Sequence, residues 1–594
     1  MILNAPFSIN SYLCRKLKAM KKLLYFIAVV LLSVSSLRAQ DTKGTDFWLT
    51  FGNNRGNSYT VVDLQMRIVN GGMNNTVSIV FTESGATDTY PLAPQEIKTI
   101  ELLSGQKQAV YNVTQGESSK SIHITTEHPV TVYALNQANV TTDASNILPV
   151  TALGTEYYHI SYFPQSGLLD AYAVIATENN TKIFHNGSEV AMLDVGKVYY
   201  HTAPLSTDMT GAHITANYPI AFFALCQGVY IPVGYTFSDH LFQQLAPVKT
   251  WGKEFFVPTS NLGKDIVRIV ASENDTNIDQ LGGTMLYPTG GQTGYTINAG
   301  EFIELEISLA NNGCYIEADK PIGVCTYLTS SGYNPSGGSD PSQGWLPAIE
   351  QSITNALIAP FIPNGDTRID SHYAIVMTPT GTETNTEVSI GGGAPGSVSG
   401  GIWRSNSDAI MSFYIMPLDD PDASYYFTND AGIIVMCYGI GPNESYYYLA
   451  GSSMRNLSAA FSANDVPYTE MADTLFCVNE ITFTTNILNT AEVDSMKWYK
   501  QKLSGNTPDL DYILITDIVE DPPVEWTRTF RAGNYMIKLE VYHNGEPEPL
   551  VYEGELCVGA HITIYPTPND GGMTKPTTGC YKVGTQLPME AYPY

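Results

Sequence analysis

Basic side chains are scarce: 30 Lys and Arg stand against 58 Asp and Glu in 594 residues, a formal net charge of −28. So acidic a chain lacks the positive face that phosphates demand, which argues against nucleic acid and disfavours anionic membranes. Charged residues of either sign make up only 15%, and no stretch shows three turns of amphipathic helix. Beyond residue 39 no apolar run approaches a membrane span. The ten histidines contain no His-Glu-x-x-His, no Gly-x-Ser-x-Gly elbow stands between a strand and a helix, and no cysteine pair has zinc spacing. Gly391-Gly392-Gly393 lacks the lysine and helix of a phosphate loop and reads as a hairpin. Of the enzyme classes, an extracellular hydrolase with paired carboxylates stays as an alternative, because carboxylate separation is a property of the fold.

What is abundant is tyrosine (38) and glycine (50), a composition that suits strands and turns. Leu64, Met66 and Ile68 alternate with Gln65 and Arg67, and Val77, Ile79 and Phe81 follow the same rhythm, the mark of half-buried strands. His128-Pro129-Val130-Thr131-Val132-Tyr133-Ala134-Leu135 reads as a strand starting at its proline. It returns at Tyr218-Pro219-Ile220, at Lys320-Pro321-Ile322 and, without proline, at Ala431-Gly432-Ile433. Other landmarks recur in the same order. A polar turn with threonine precedes each copy (Asn74-Asn75-Thr76, Asn179-Asn180-Thr181, Asn274-Asp275-Thr276, Thr384-Asn385-Thr386). Asp143, Asp239 and Asp340 follow the first three, each before a Leu/Pro step (Leu148-Pro149, Leu245-Ala246-Pro247, Leu346-Pro347). A glycine-led aromatic strand opens three units: Gly44-Thr45-Asp46-Phe47-Trp48, Gly154-Thr155-Glu156-Tyr157-Tyr158 and Gly252-Lys253-Glu254-Phe255-Phe256. This is internal repetition. It predicts an all-β chain of four β-sandwich-like units, about 44–150, 151–247, 248–348 and 349–457, with a propeller-like arrangement as the alternative. Recurrence gives the three aspartates a structural job, such as an Asx turn.

Residues 1–39 read as a signal peptide region, with Met20-Lys21-Lys22 before the apolar run Leu23–Leu32 and Met20 as the preferred start. They hold six basic and no acidic side chains, leaving 24 Lys and Arg against 58 Asp and Glu, a net of −34. Tyr12-Leu13 are too bulky for Cys14 to be a lipoprotein cysteine. Export permits disulfides, and the seven remaining cysteines leave at least one thiol unpaired. Cys314 and Cys325 flank a turn at Asp319-Lys320 and would face each other across a two-residue hairpin, so they are disulfide candidates. Cys226 and Cys437 lie inside apolar strands and read as buried thiols.

The phrase Gly154-Thr155-Glu156-Tyr157-Tyr158, the Leu148-Pro149 step before it and the Glu178-Asn179-Asn180-Thr181 turn after it resemble the N-terminal domain of the IgGFc-binding protein family. That domain occurs in animal mucus proteins and in secreted Bacteroidetes-type proteins, and the likeness covers most of 44–457. It implies a non-enzymatic, secreted or cell-surface module for binding or adhesion to an extracellular glycoprotein such as mucin or immunoglobulin. A lectin-like, glycan-binding role is the alternative. Residues 458–560, with Trp498 placed as a core tryptophan and Gly533-Asn534-Tyr535 opening a late strand, are similar to Ig/PKD-type sandwiches. That likeness implies a Cys477–Cys557 bridge. Residues 561–594 resemble the start of an internalin-type B-repeat.

Asp419, Asp420 and Asp422 cluster hard oxygens in one loop and are the candidate Ca²⁺ ligands. Their alternative role is a solvated turn. Trp48, Trp251 and Trp345 would support glycan binding if exposed on one face. His123 and His128 bracket a strand end, where a surface or turn role is expected.

Overall fold

The repeated octamer is the middle of a long strand, not its start. The computed structural model describes residues 41–592 apart from 56–57, 289–293, 335–337, 365–368, 406–409, 443, 455–456, 458–460, 465, 469–470, 486–492, 505–506, 509–511, 520–524, 544–548, 563–572, 576–578 and 583–589. The leader segment therefore lies outside the described residues, as does most of the tail. Among the described residues no helix is long and apolar enough to cross a membrane.

Each unit is one curled sheet built on its long strand: Ile122–Ala138, His213–Val229, Cys314–Leu328 and Tyr425–Gly441. The first half of that strand pairs with the unit's opening strand and with a strand that follows the polar turn. The second half pairs with the unit's second strand and its last. The partner exchange happens at the proline. Gly44 pairs with Val130 but Asp46 pairs with Thr125, and the same slip recurs at Gly154, Gly252 and Ile353. Proline donates no N–H, so it is tolerated where the ladder is interrupted. In the fourth unit Gly432 takes the place with φ +103, a backbone open to glycine. A hydroxyl catches the carbonyl there in three units: Thr177 on Pro219, Ser272 on Pro321 and Thr378 on Gly432, at 2.5, 2.7 and 3.0 Å.

The remaining landmarks touch one another. A Cβ on Gly44 would lie 2.2 Å from Pro149 Cβ; on Gly154, 2.6 Å from Pro247 Cβ; on Gly252, 2.4 Å from Ala348 Cβ. Each unit thus folds its opening glycine under its own exit step. In the polar turns Asn180 and Asp275 take left-handed backbone. The following Thr181 and Thr276 are buried and donate to Glu178 O and Glu273 O at 2.7 Å.

The units close a ring. Their last strands, Thr141–Ile147, Asp239–Gln244, Ser342–Leu346 and Glu444–Gly451, pack in succession, and the fourth returns to the first. The arrangement between units is therefore propeller-like, while each unit is a curled half-barrel. Thr42 N–H closes the circle onto Ser452 O at 3.1 Å, beside an Asp41–Ser453 bridge. At the centre is Asp143. Its carboxylate accepts Ala144 N–H (2.8 Å), then one N–H from each other unit: Phe242 (3.1 Å), Gln343 (3.2 Å) and Tyr447 (3.4 Å). Asp239 likewise accepts Thr142 N–H from the first unit at 3.1 Å. These aspartates are brackets between strands and make no Asx turn.

Tyrosine serves the junctions. Tyr133 donates to Leu357 O and Ala450 O, Tyr327 to Ser161 O, Tyr158 to Ser272 O and Tyr438 to Asn261 Oδ1, each in a neighbouring unit. Burial of both strand faces follows. Gln65 and Arg67, read as a solvent face, are 1% and 3% exposed because the fourth unit covers them. Arg67 donates to Pro421 O at 2.8 Å.

After the ring the chain forms a small sandwich of two sheets, one holding Glu480–Thr485, the other Val493–Ser504, Gly533–His543 and Leu550–Val558. Trp498 is buried in its core against Phe461, Phe483 and Trp526. Both proposed bridges are corrected. Cys477 joins Cys580, and Cys557 is a buried thiol. Leu475 already stands opposite Cys557 in a parallel pair, so Cys477 lies past it. Cys314 and Cys325 are also buried thiols. They occupy one continuous strand, where eleven residues span roughly 35 Å. Cys226 and Cys437 are buried thiols as expected.

Candidate functional site

Between the second and third units a cleft of about 770 Å³ is walled by aromatic rings. Tyr162 and Phe163 follow the second unit's opening strand, and Tyr235 comes from the connection after its long strand. Tyr287 and Phe302 come from the third unit's Gly283–Tyr287 and Phe302–Ser308 strands, and Tyr333 from its own late connection. Tyr287 stacks on Phe302 at 5.1 Å, and Tyr235 meets Tyr333 edge-on at 4.7 Å. Val233, Tyr287, Phe163 and Tyr235 are 58, 53, 41 and 41% exposed. Exposed apolar side chains gathered in one concavity mark a recognition site.

The floor is polar. Arg268, 4% exposed, lies between the rings of Tyr162 and Phe302, 4.0 and 4.6 Å from their centroids. Its Nε donates to Glu304 Oε2 (2.8 Å), and its Nη1 to Asp208 Oδ2 (2.7 Å), Ser161 O (2.8 Å) and Thr210 Oγ1 (2.9 Å). Asp208, Ser161 and Thr210 belong to the second unit, so the guanidinium pins the cleft's two walls together. Burial opposes the charges, but Asp208 and Glu304 hold the guanidinium protonated, and Arg268 holds the Asp208 carboxyl below its ordinary range. Tyr162 donates to the other oxygen of Glu304 at 2.9 Å. Both carboxylates are committed to this network, which suits an organised floor better than proton transfer.

Sequence reasoning passed over this site. The signal was present: Arg268 sits between Val267 and Ile269 in Lys264–Ala271, where an arginine among buried aliphatics requires partners. The residues it singled out are elsewhere. Asp419, Asp420 and Asp422 are exposed, and Asp420 Oδ1 caps Asp422 N–H at 3.0 Å. Among the described residues no three His, Cys, Asp or Glu side chains gather to hold a metal. Trp48, Trp251 and Trp345 are buried, the first stacked on His123 at 4.1 Å. His123 Nε2 also pairs with Asp46 Oδ1 at 2.8 Å.

Burial sets the pH response of the ring. It pushes Asp265 and Glu350 up to about 7, and raises Asp340 and Glu444, with the Glu444 charge adding to Asp340. The folded chain thus keeps protons that the unfolded chain releases above about pH 4, and stability falls as pH rises through the folded values. Burial also holds His201, His240 and His372 near 4, 3 and 4, which costs stability as pH falls below 6.5. Above 6.5 the carboxyls lead, joined near pH 8.5 by the buried thiols of Cys314, Cys325 and Cys437, which burial pushes up to about 12 and which act in the same direction. The denaturant midpoint is expected to be lower at pH 8.5 than at 6.5, with the slope flattened in an Asp340→Asn/Glu444→Gln variant.

The sequence model of the IgGFc binding protein family matches residues 30–206 and 143–439, more than half of the chain. Human IgGFc-binding protein is 28% identical over 228 residues, 36% of this chain but only 4% of that protein's length. The FN1–FN3 domains of chicken CNTN1 align at TM-score 0.12 and 7% identity, covering 52% of this chain and 99% of that one. A glycoside hydrolase family 32 protein of Bifidobacterium adolescentis aligns at 0.13 and 9%, covering 87% and 95%. Neither structural likeness is close enough to bear on fold or activity. The family match spans the residues that carry the repeated landmarks, and this chain belongs to the IgGFc-binding protein family.

Proposed function

We propose that the chain is a non-enzymatic, exported binding protein that engages an extracellular glycoprotein through the aromatic cleft between its second and third units. The observation that carries this reading is the cleft itself: rings exposed on the walls, and a floor fixed by the Arg268 ion triad. Tyrosine and phenylalanine offer contact area at small entropic cost, and a pinned floor pre-organises it. Family membership supports a glycoprotein partner, immunoglobulin Fc or mucin. A glycan alone is the second reading, favoured by exposed Tyr235 and Tyr287 faces now that the tryptophans are buried.

Surface plasmon resonance of the purified protein against Fc, mucins and a glycan array decides between them. Saturable binding to one class is expected, weakened at least tenfold by Tyr287→Ala and by Phe163→Ala at unchanged denaturant midpoint. Binding that both variants retain would move the site elsewhere, and silence on all three surfaces would leave the ring a structural role.

A further inference from the structure

A second cavity, of about 520 Å³, lies where the four connections into the last strands converge. Val140, Phe237, Asp340 and Glu444 line it, one from each unit. The two acids are buried, 3% and 4% exposed; Asp340 Oδ1 meets no hydrogen-bond partner, and Glu444 Oε2 has no well-aligned one, the Thr142 hydroxyl alone lying near that carboxylate. Asp239, wholly buried behind them, lies close enough to feel both charges. Among the described lining residues the one cation is Arg55, whose Nη2 is occupied by Gln165 Oε1 at 2.8 Å and by Ser238 Oγ. Two buried carboxylates thus line the pocket with one guanidinium, whose Nη2 is already turned to neutral partners. Buried acceptor oxygens without donors are costly, and an added cation with N–H groups removes that cost.

We propose that this pocket receives a primary ammonium group on an alkyl stem. An ammonium is a compact charge with three donors, enough to serve the Asp340 and Glu444 carboxylates together. Its stem would lie along Val140 and the ring of Phe237, 56% and 47% exposed, which also favours a cation over its face. A metal ion fits less well. The described residues gather no three metal-ligating side chains, and the cavity is far larger than a hard cation fills. Lysine on a partner protein and a free alkylamine share the required chemistry.

Calorimetric titration of the whole protein at pH 8.5 tests this, using n-butylammonium chloride, acetyl-Gly-Lys-Gly-amide and calcium chloride as separate probes. At least one amine is expected to bind saturably at one site. Asp340→Asn and Glu444→Gln should each weaken it at least tenfold, at denaturant midpoints no lower than the parent's. Binding of both amines assigns the pocket to free amines as well, and binding of the peptide alone assigns it to a partner's lysine. No heat from either amine, binding unchanged in both variants, or calcium binding in their place would overturn the proposal. Tyr287→Ala should leave amine binding intact, so this test and that of the aromatic cleft fail independently.

Discussion

Asp143→Ala is expected to unlock the ring. The substitution strands the buried N–H groups of Phe242, Gln343 and Tyr447, one in each other unit. An orphaned buried donor costs about 1–3 kcal/mol, so the loss should be about 5 kcal/mol, partly offset because burial itself penalises the charge and raises the Asp143 carboxyl pKa. Denaturation followed by tryptophan fluorescence reads it, with Trp403, Trp498 and Trp526 replaced by Phe so that Trp48 reports the first unit and Trp251 and Trp345 the third. The parent should unfold both units together. The variant should show a lower midpoint and separated transitions, while Asp143→Asn, which keeps one acceptor oxygen, should fall between. A variant as stable and cooperative as the parent would deny the carboxylate its bracketing role.

Arg268→Ala is the second large effect. It leaves Asp208 and Glu304 buried without their cation, and breaking such a pair costs about 3–5 kcal/mol. The signature is in the pH dependence. With the guanidinium present, the Asp208 carboxyl is held low, and its contribution is lost only under strong acid. Without it, burial pushes the Asp208 carboxyl up, so the variant should gain stability relative to the parent as pH falls from 7 to 5. Loss of the packed guanidinium between Tyr162 and Phe302 should also loosen the cleft and weaken its ligand at least tenfold. A midpoint deficit independent of pH would mean that packing alone is lost. Adding Asp208→Asn and Glu304→Gln to Arg268→Met should recover most of the stability and little of the binding.

The repeat was legible because its landmarks are mutual contacts. Gly154 and Pro247 recur together since one lies under the other, and Thr181 recurs since its turn needs a buried hydroxyl. Pro129 misled locally: proline usually starts or ends a strand, and only the alternation of Ile122 and Ile124 before it tells of a longer one interrupted by a bulge. The ring and its cavities were not legible, because they depend on contacts between units. Asp143 and Tyr447 stand 304 residues apart, and no local pattern encodes such a pairing. Arg268 was visible as an anomaly, but its acids lie 60 and 36 residues away, Asp208 in a polar loop and Glu304 at the polar position of an alternating strand. Cys477 chose a partner in the tail because strand pairing, not module boundary, sets which thiol it can reach.

The bridge between Asp41 and Ser453 has a mechanical consequence. The two points at which the chain enters and leaves the ring sit one strand spacing apart, about 5 Å. Pulled between residues 41 and 453, the ring is therefore loaded only at the contacts of residues 41–43 with the fourth unit, Thr42 to Ser452 and Lys43 Nζ to Asn355 Oδ1 at 2.6 Å. While those hold, the clefts between units bear none of that load. Once they part, the units between can pay out on the order of 1,400 Å of extended chain.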